Sequence, residues 1–210
     1  MTREIVVVDY GSGNVRSIVN ALLQSREPGQ DVVLSADPAR LLGAERAVLP
    51  GVGAFNEVRR KLDASGLLPA IEQFRSSGRP FLGVCVGMQI LATKGLEFGD
   101  TPGLGWIPGE VRQLEVPPSL KIPHFGWSKV TPRAGSPLFA GLPASPQFYF
   151  VHSFAFSVAD PQAVEATADY GGPFTAAVRV KNVFGTQFHP EKSDVAGLAL
   201  LSNFCRWNPT

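Results

Sequence analysis

Two patterns of hydrophobic and polar positions alternate along the first half of the chain. Short runs of apolar, mostly β-branched residues, such as residues 5–8, are typical of strands covered on both faces of a parallel sheet. Apolar residues spaced three and four apart, as in residues 15–23, are typical of one helical face. The patterns predict strands at 5–8, 31–34, 46–49 and 81–84, and helices at 15–23, 38–42, 56–64 and 68–76.

This order of strands and helices predicts an α/β fold with a doubly wound, mostly parallel sheet. In such folds, ligands bind beyond the carboxyl ends of the strands. The loop at residues 50–55 and Cys85 each follow a predicted strand. We therefore expect both at the ligand-binding edge of the sheet.

From about residue 100 the pattern changes to glycine, proline and short alternating segments. It predicts strands at 111–114, 127–130, 148–156, 163–168, 176–180 and 183–188, and a closing helix at 195–207. The last two strands are expected to form a hairpin across Lys181 and Asn182. Because no linker separates the halves, we expect a single domain over residues 1–210, with the second half as an antiparallel extension.

Composition and charge narrow the possible function classes. With 210 residues, 44% of them hydrophobic, the chain can bury one substantial core. Nineteen basic and 18 acidic residues leave a net charge of +1, so no nucleic-acid partner is expected. No apolar run approaches the ~20 residues of a membrane span, and the N-terminus lacks the pattern of a signal peptide. We expect a cytoplasmic protein that does not bind membranes, in which Cys85 and Cys205 form no disulfide.

Residues 80–91 have the sequence form of a nucleophile elbow centred on Cys85. An apolar run stops at this cysteine, Gly83 and Gly87 lie two residues to either side, and a segment of helical character follows. Such a turn strains the backbone of the nucleophile and permits only small neighbours. The N–H groups of the helix N-terminus would then favour the thiolate. Cys205 lies at helical spacing among apolar residues and is expected in the core.

A thiolate nucleophile requires a base and a group that orients the base. His189 ends the last predicted strand, and Glu191, two residues on, can project to the same side. The sequence therefore predicts a triad of Cys85, His189 and Glu191, in which the carboxylate fixes the imidazole tautomer. A lone strand-end histidine is more often structural, but this one supplies the role that the elbow lacks.

Two glycine-containing loops have more than one interpretation. The loop at residues 11–13 follows a strand, as in dinucleotide sites, but the third glycine and the acidic end of the second strand are missing. A nucleotide site is therefore disfavoured. The loop at residues 50–55 fits an ordinary strand-to-helix turn, which is the better interpretation when it is taken alone. Its glycines are also compatible with backbone N–H groups that point into a cavity.

The motifs around the triad resemble those of the class I (triad) glutamine amidotransferases, over nearly the whole chain. They are GVCVGMQ at residues 83–89 and FHPE at 188–191. Within this class the chain is most similar to the glutaminase subunits of imidazole glycerol phosphate synthase in histidine biosynthesis. The segments that carry this similarity are DYGSGN at 9–14, PGVGAF at 50–55, PHFGW at 123–127, YFVHS at 149–153 and HPEKS at 189–193.

The resemblance implies a reaction and a role for each matching residue. Cys85 would attack the side-chain amide carbon of glutamine, His189 would protonate the departing ammonia, and water would hydrolyse the γ-glutamyl thioester. The oxyanion would be bound by backbone N–H groups of Val86 and of the 50–55 loop, at Val52 and Gly53. The predicted substrate-binding residues are Gly51, Gln89, His152 and Ser153.

The resemblance also implies a partner. Ammonia would pass to a separate cyclase subunit with a (β/α)₈ barrel, which forms a heterodimer with this chain. The cyclase would use it to make imidazole glycerol phosphate and aminoimidazole carboxamide ribotide, and no metal or other cofactor is implied. The residues that match positions at or near the interface are Asn14, His124, Trp127 and Lys192. Without the resemblance, each has an ordinary structural explanation, such as a helix cap, a packed turn or a solvated charge.

Two other classes of function remain open from the sequence. One is a different enzyme on the same scaffold, either a cysteine hydrolase or an amidotransferase that serves another synthase. The other is a non-catalytic binding subunit, which is disfavoured because all three triad residues are present.

Overall fold

The computed structural model describes residues 3–13 and 15–209. The strands of this part of the chain are β1 (Arg3–Val8), β2 (Gln30–Ser35), β3 (Arg46–Gly51), β4 (Phe81–Cys85), β5 (Lys94–Gly95), β6 (Thr101–Pro102), β7 (Gly109–Gln113), β8 (His124–Pro132), β9 (Gln147–His152), β10 (Phe154–Val158), β11 (Val164–Asp169), β12 (Pro173–Val180) and β13 (Val183–Thr186). The α-helices are α1 (Arg16–Ser25), α2 (Pro38–Gly43), α3 (Phe55–Ala64), α4 (Leu68–Ser76), α5 (Val86–Gln89) and α6 (Asp194–Arg206). Single 3₁₀ turns lie at Pro137–Phe139, Pro161–Ala163 and Pro190–Lys192.

The elements predicted for the first half are confirmed, with ends that differ by two residues at most. Local chemistry explains why these ends are predictable. In α2, the carboxylate of Asp37 accepts the N–H of Ala39 at 2.9 Å, and Pro38 occupies the first helical turn. In α1, the predicted apolar face is buried at Ile18 and Leu22.

A nine-stranded sheet runs through the described residues in the order β2-β1-β3-β4-β13-β12-β11-β8-β9. Neighbouring strands are parallel from β2 to β13 and antiparallel from β13 to β9. This confirms the α/β fold with a mostly parallel core and an antiparallel extension. Because β13 lies directly beside β4, the chain that follows Thr186 emerges next to Cys85.

In the second half, the ends of the predicted strands differ from the structure by up to three residues, and one predicted strand is wrong. The segment at 148–156 was predicted as a single strand, which is wrong: β9 belongs to the large sheet and β10 to a second sheet of order β10-β7-β5-β6. The buried positions alternate through Phe148, Phe150 and His152, but the alternation then breaks, and Ala155 and Phe156 are both buried. The two-residue strands β5 and β6 were not predicted, because they are too short to show a period.

The predicted hairpin and closing helix are confirmed. Val180 pairs with Val183 across the turn, and Lys181 has a φ of 53°. Helix α6 packs against α1 and buries Cys205 completely. In the described part of the chain, no helix is long and apolar enough to cross a membrane.

Candidate active site

Cys85 ends β4 in a backbone conformation that few residues other than glycine adopt, with φ 55° and ψ −115°. Glycines make the turn possible. A Cβ atom on Gly87 would collide with the carbonyl oxygen of Leu49 in β3, and one on Gly83 would lie 2.5 Å from the carbonyl oxygen of Gly87. The strained elbow expected from the sequence is therefore present, and both flanking glycines are sterically required.

The helix behind the elbow is shorter than the apolar pattern indicates. Helix α5 ends at Gln89 after a single turn. Beyond it, the backbone N–H groups of Leu104 and Trp106 donate to the carbonyl oxygens of Ile90 and Leu91, at 2.7 and 2.9 Å. The chain leaves the helix because these carbonyls pair with the segment that follows β6.

His189 and Glu191 reach the elbow through the chain that follows β13. The Nδ1 atom of His189 lies 2.8 Å from Oε1 of Glu191, and the two side chains are only 3% and 8% exposed. This leaves the opposite edge of the imidazole for the Cys85 sulfur, whose interaction with the ring is one cause of the raised pKa of His189. The structure thus brings the three predicted triad residues together, with Cys85 and His189 lining one cavity and Glu191 bound to the imidazole.

The electrostatics of this group favour a protonated histidine. Burial acts to lower the pKa of His189, but hydrogen bonds to Cys85 and Glu191, with their negative charges, outweigh it and raise the pKa to about 10. At neutral pH the imidazole is therefore a cation between a carboxylate and the sulfur. Such a cation can balance a thiolate and later give its proton to a leaving group.

A cavity of about 310 Å³ opens beside the Cys85 sulfur, a size suited to a small polar ligand. Its lining residues are Val52, Gly53, Cys85, Val86, Gln89, Glu97, Pro123, Val151, His152, Ser153, Phe154 and His189. The lining includes the three residues predicted to form the oxyanion hole. Within residues 3–13 and 15–209, no group of three or more His, Cys, Asp or Glu residues is placed to hold a metal ion.

Gly51 is the one predicted substrate-binding residue that the structure does not place in this lining. It ends β3 and packs against the elbow, where a Cβ atom would collide with the backbone nitrogen of Gly87. Its lack of a side chain lets β3 and α5 approach closely. Gly51 therefore supports the elbow, and the substrate contact predicted for it stays a prediction.

His152 and His124 form a buried hydrogen-bonded pair at the cavity wall. Nδ1 of His152 lies 2.9 Å from the carbonyl oxygen of Phe154 and must donate, so its Nε2 accepts from Nδ1 of His124 at 3.0 Å. Burial lowers the pKa of each imidazole to about 4, so both are neutral at neutral pH. His124 is only 2% exposed and stacks on Tyr170, with ring centroids 4.1 Å apart. The structure therefore does not bring its side chain to the surface predicted for the partner.

Trp127 and Lys192 both lie near the ring of Tyr149. Trp127 is 50% exposed, with its ring centroid 6.1 Å from that of Tyr149, and Nζ of Lys192 lies 5.8 Å from the same centroid. Phe125, which is 69% exposed, extends the cluster. The sequence did not single out Tyr149, because its pairing with Trp127 depends on the register of β8 and β9. Asn14, the remaining predicted interface residue, lies outside the described residues.

Two further residues lie at the site that the sequence patterns did not predict. Glu97 lines the cavity, and its Oε2 atom accepts the N–H of Phe55, at the start of α3, at 2.8 Å. It lies in an irregular segment between β5 and β6, where no pattern marks it. Gln187 places its Nε2 atom 3.8 Å from the Cys85 sulfur. Its position two residues before His189 was the signal that could have identified it.

The fold and this site define a class of protein: an α/β protein that groups a cysteine, a histidine and a glutamate at the edge of a parallel sheet. The family model described as "Glutamine amidotransferase class-I" matches residues 6–206. The chain belongs to the class I glutamine amidotransferase family.

Similar proteins specify the relationship further. The chain is 50% identical to imidazole glycerol phosphate synthase subunit HisH of Caulobacter vibrioides, with 98% of this chain and 99% of the relative covered. It is 48% identical to the subunit of the same name from Rhodospirillum rubrum, with the same coverage. Among solved structures, that of PurLQS from Thermotoga maritima has a TM-score of 0.70 at 20% identity, covering 98% and 99% of the two chains, and shows the shared fold. These findings confirm the resemblance identified in the sequence.

Proposed function

We propose that this chain is the glutaminase subunit of an imidazole glycerol phosphate synthase, which releases ammonia from glutamine for a cyclase subunit in histidine biosynthesis. The observation that carries the proposal is the buried group of Cys85, His189 and Glu191 beside a cavity of about 310 Å³. The two HisH relatives, at 50% and 48% identity over nearly the full length, support the assignment to this synthase.

In the first half of the proposed reaction, the Cys85 thiolate attacks the side-chain amide carbon of glutamine and the carbonyl oxygen becomes an oxyanion. The His189 imidazolium gives its proton to the amide nitrogen as the C–N bond breaks, so ammonia leaves and a γ-glutamyl thioester remains. In the second half, neutral His189 takes a proton from water and the resulting hydroxide attacks the thioester. The C–S bond breaks, the thiolate and imidazolium return, and glutamate leaves after its new carboxyl group loses a proton. Glu191 holds the imidazole in place throughout.

Backbone N–H groups of Val52, Gly53 and Val86 are the proposed oxyanion donors. All three residues line the cavity that contains Cys85. The loop that carries the first two is anchored, since the Tyr10 hydroxyl donates to the carbonyl oxygen of Pro50 at 2.7 Å. A donor of this kind typically contributes ~3 kcal/mol to transition-state stabilisation.

The remaining lining residues suit the two ends of a bound glutamine. Both N–H groups of the Gln89 side chain are engaged, by the carbonyl oxygen of Phe154 and by Gln187, at 2.9 and 3.0 Å. The carbonyl oxygen of Gln89 is therefore the group that can contact the substrate.

Among the described lining residues outside the triad, Glu97 alone carries a carboxylate, and we assign it to the α-ammonium group of glutamine. His152 and Ser153 also line the cavity.

Replacement of Glu97 by glutamine is expected to raise the KM for glutamine about ten- to hundredfold with little change in kcat, because it removes the charge that pairs with the α-ammonium group. The amide oxygen can still accept the N–H of Phe55, so α3 keeps its contact. Steady-state glutamate release by the complex with the cyclase measures both constants. Asp63→Asn, which removes a carboxylate at the far end of α3, is the control. An unchanged KM in the Glu97→Gln variant would remove Glu97 from the substrate site.

The partner in this proposal is a (β/α)₈ cyclase subunit that forms a heterodimer with the chain. The surface cluster of Phe125, Trp127, Tyr149 and Lys192, in which both Phe125 and Trp127 are exposed, supports a protein interface, since aromatic anchors are typical of interface centres. We propose that the chain acts as one domain in the cytoplasm, without a metal or other cofactor, a nucleic acid or a membrane.

The decisive test is glutamate release by the isolated chain and by its mixture with the cyclase and the cyclase's ribotide substrate. The proposal predicts slow glutamate release by the isolated chain and an increase of about tenfold or more in the full mixture. The reason is that a glutaminase whose ammonia is used only by the cyclase should be coupled to that partner. Rapid hydrolysis that is indifferent to the cyclase would contradict it. Reaction of Cys85 with a glutamine-mimicking chloroketone would separately exclude a peptidase.

A further inference from the structure

Gln187 is a completely buried polar residue next to the nucleophile, and the reaction described above gives it no role. Its backbone N–H donates to the carbonyl oxygen of Ala176 in β12 at 2.9 Å, which ties this residue to the sheet. A buried carboxamide is costly unless its donors and acceptor are paired. The partners of this side chain therefore indicate what it does.

The neighbouring groups determine which way the Gln187 carboxamide points. The carbonyl oxygen of Phe154 can only accept, so Gln89 must turn its NH₂ group toward it, at 2.9 Å. The same NH₂ group lies 3.0 Å from Gln187, which must present its Oε1 atom there. Its Nε2 atom is consequently turned to the Cys85 sulfur, at 3.8 Å. The carbonyl oxygen of Phe154 thus fixes the orientation of the Gln89 carboxamide. That carboxamide in turn fixes the orientation of Gln187, whose NH₂ group then faces the nucleophile.

Residues 187–189 bring two donor side chains to the sulfur of Cys85. Gln187 and His189 both contact Cys85, whereas Phe188 between them turns away and stacks on Phe148, with ring centroids 4.0 Å apart. The backbone N–H of His189 donates to the carbonyl oxygen of Tyr149 in β9 at 3.0 Å. The segment is therefore held on both sides, and neither donor can move freely relative to the sulfur.

We infer that Gln187 is a positioning residue that donates a hydrogen bond to the Cys85 thiolate and fixes it relative to Gln89 and the substrate cavity. His189 balances the charge of the thiolate and moves the proton. Gln187 keeps the sulfur in place through steps in which the imidazole is neutral. The inference rests on the proposed function for the role of Cys85 as nucleophile, but the contact with the sulfur exists in the isolated chain.

The test is the pH profile of Cys85 alkylation by iodoacetamide in the isolated chain, without glutamine or cyclase. Gln187→Met keeps the length of the side chain and removes its donor. We expect alkylation at neutral pH to be about tenfold slower and the midpoint of its pH profile to move to higher pH. Gln187→Glu keeps the oxygen that accepts from Gln89 and places a second oxygen near the sulfur, so its profile should move at least as far in the same direction.

Thr186→Val is the matched control. The Thr186 side chain is also completely buried and donates to the carbonyl oxygen of Phe188 at 3.1 Å, but no hydrogen bond joins it to Cys85. Urea unfolding of all three variants separates loss of packing from loss of the donor. A wild-type alkylation profile in a folded Gln187→Met or Gln187→Glu variant would overturn the inference. Failure of the proposed function would look different: the wild type would release no glutamate with cyclase and ribotide, while its alkylation profile still shifted on substitution of Gln187.

Discussion

Replacement of Cys85 by alanine is expected to abolish glutamine-dependent synthesis by the complex with the cyclase and to leave ammonia-dependent synthesis intact. The substitution removes the atom that forms the thioester, and loss of a nucleophile lowers such reactions by ~10⁴-fold or more. Alanine fits the elbow, because its side chain is no larger than the Cβ atom that Cys85 already places there. The measurement is the rate of imidazole glycerol phosphate formation with glutamine and, separately, with ammonium chloride at high pH.

Cys205→Ala is the control for this prediction, since it removes the other cysteine from the core without touching the site. Burial raises the pKa of the Cys205 thiol to about 12, so this residue should remain unreactive in the folded chain. A glutamine-mimicking chloroketone should therefore label only the peptide that contains Cys85. Substantial glutamine-dependent synthesis by the Cys85→Ala variant would contradict the thioester route and favour a non-catalytic binding subunit.

Replacement of His189 by asparagine is expected to lower glutamine hydrolysis by ~10³- to 10⁴-fold, because it removes both the cation beside the sulfur and the proton donor for ammonia. Asparagine can still donate to Glu191, so the buried carboxylate keeps a partner. The measurements are single-turnover glutamate release in the complex and iodoacetamide alkylation of Cys85 in the isolated chain. Alkylation should slow as well, because the variant lacks the charge that balances the thiolate.

The pH dependence of stability distinguishes loss of this charge from a simple loss of packing. The pKa of His189 is about 10 in the folded protein, above the usual 6.5 for histidine, so the imidazolium contributes fully to stability below about pH 6.5. That contribution is lost as the pH rises through about 10. The difference in unfolding free energy between the wild type and His189→Asn should therefore be largest near pH 6 and shrink toward pH 10. A difference that is independent of pH, or activity within tenfold of the wild type, would contradict the assigned role.

The sequence alone was sufficient for the helices and strands up to residue 85 and for the strained turn at Cys85. Apolar periodicity is a local property, and it agrees with the burial of Ile18 and Leu22 in α1. Gly83 and Gly87 marked the elbow for a steric reason that the structure bears out, because a Cβ atom at either position would meet backbone. The spacing of His189 and Glu191 predicted the pair that is 2.8 Å apart in the structure.

The tertiary structure decided which side chains meet across distant segments. The position of β13 beside β4 brings Gln187 to the Cys85 sulfur, and the fold of an irregular segment brings Glu97 to the same cavity. It also buried His124 and brought Trp127 and Lys192 close to the ring of Tyr149. Sequence periodicity reports only which face of an element is buried. The neighbour that buries this face depends on strand order and register, which are set by packing between residues far apart in the chain.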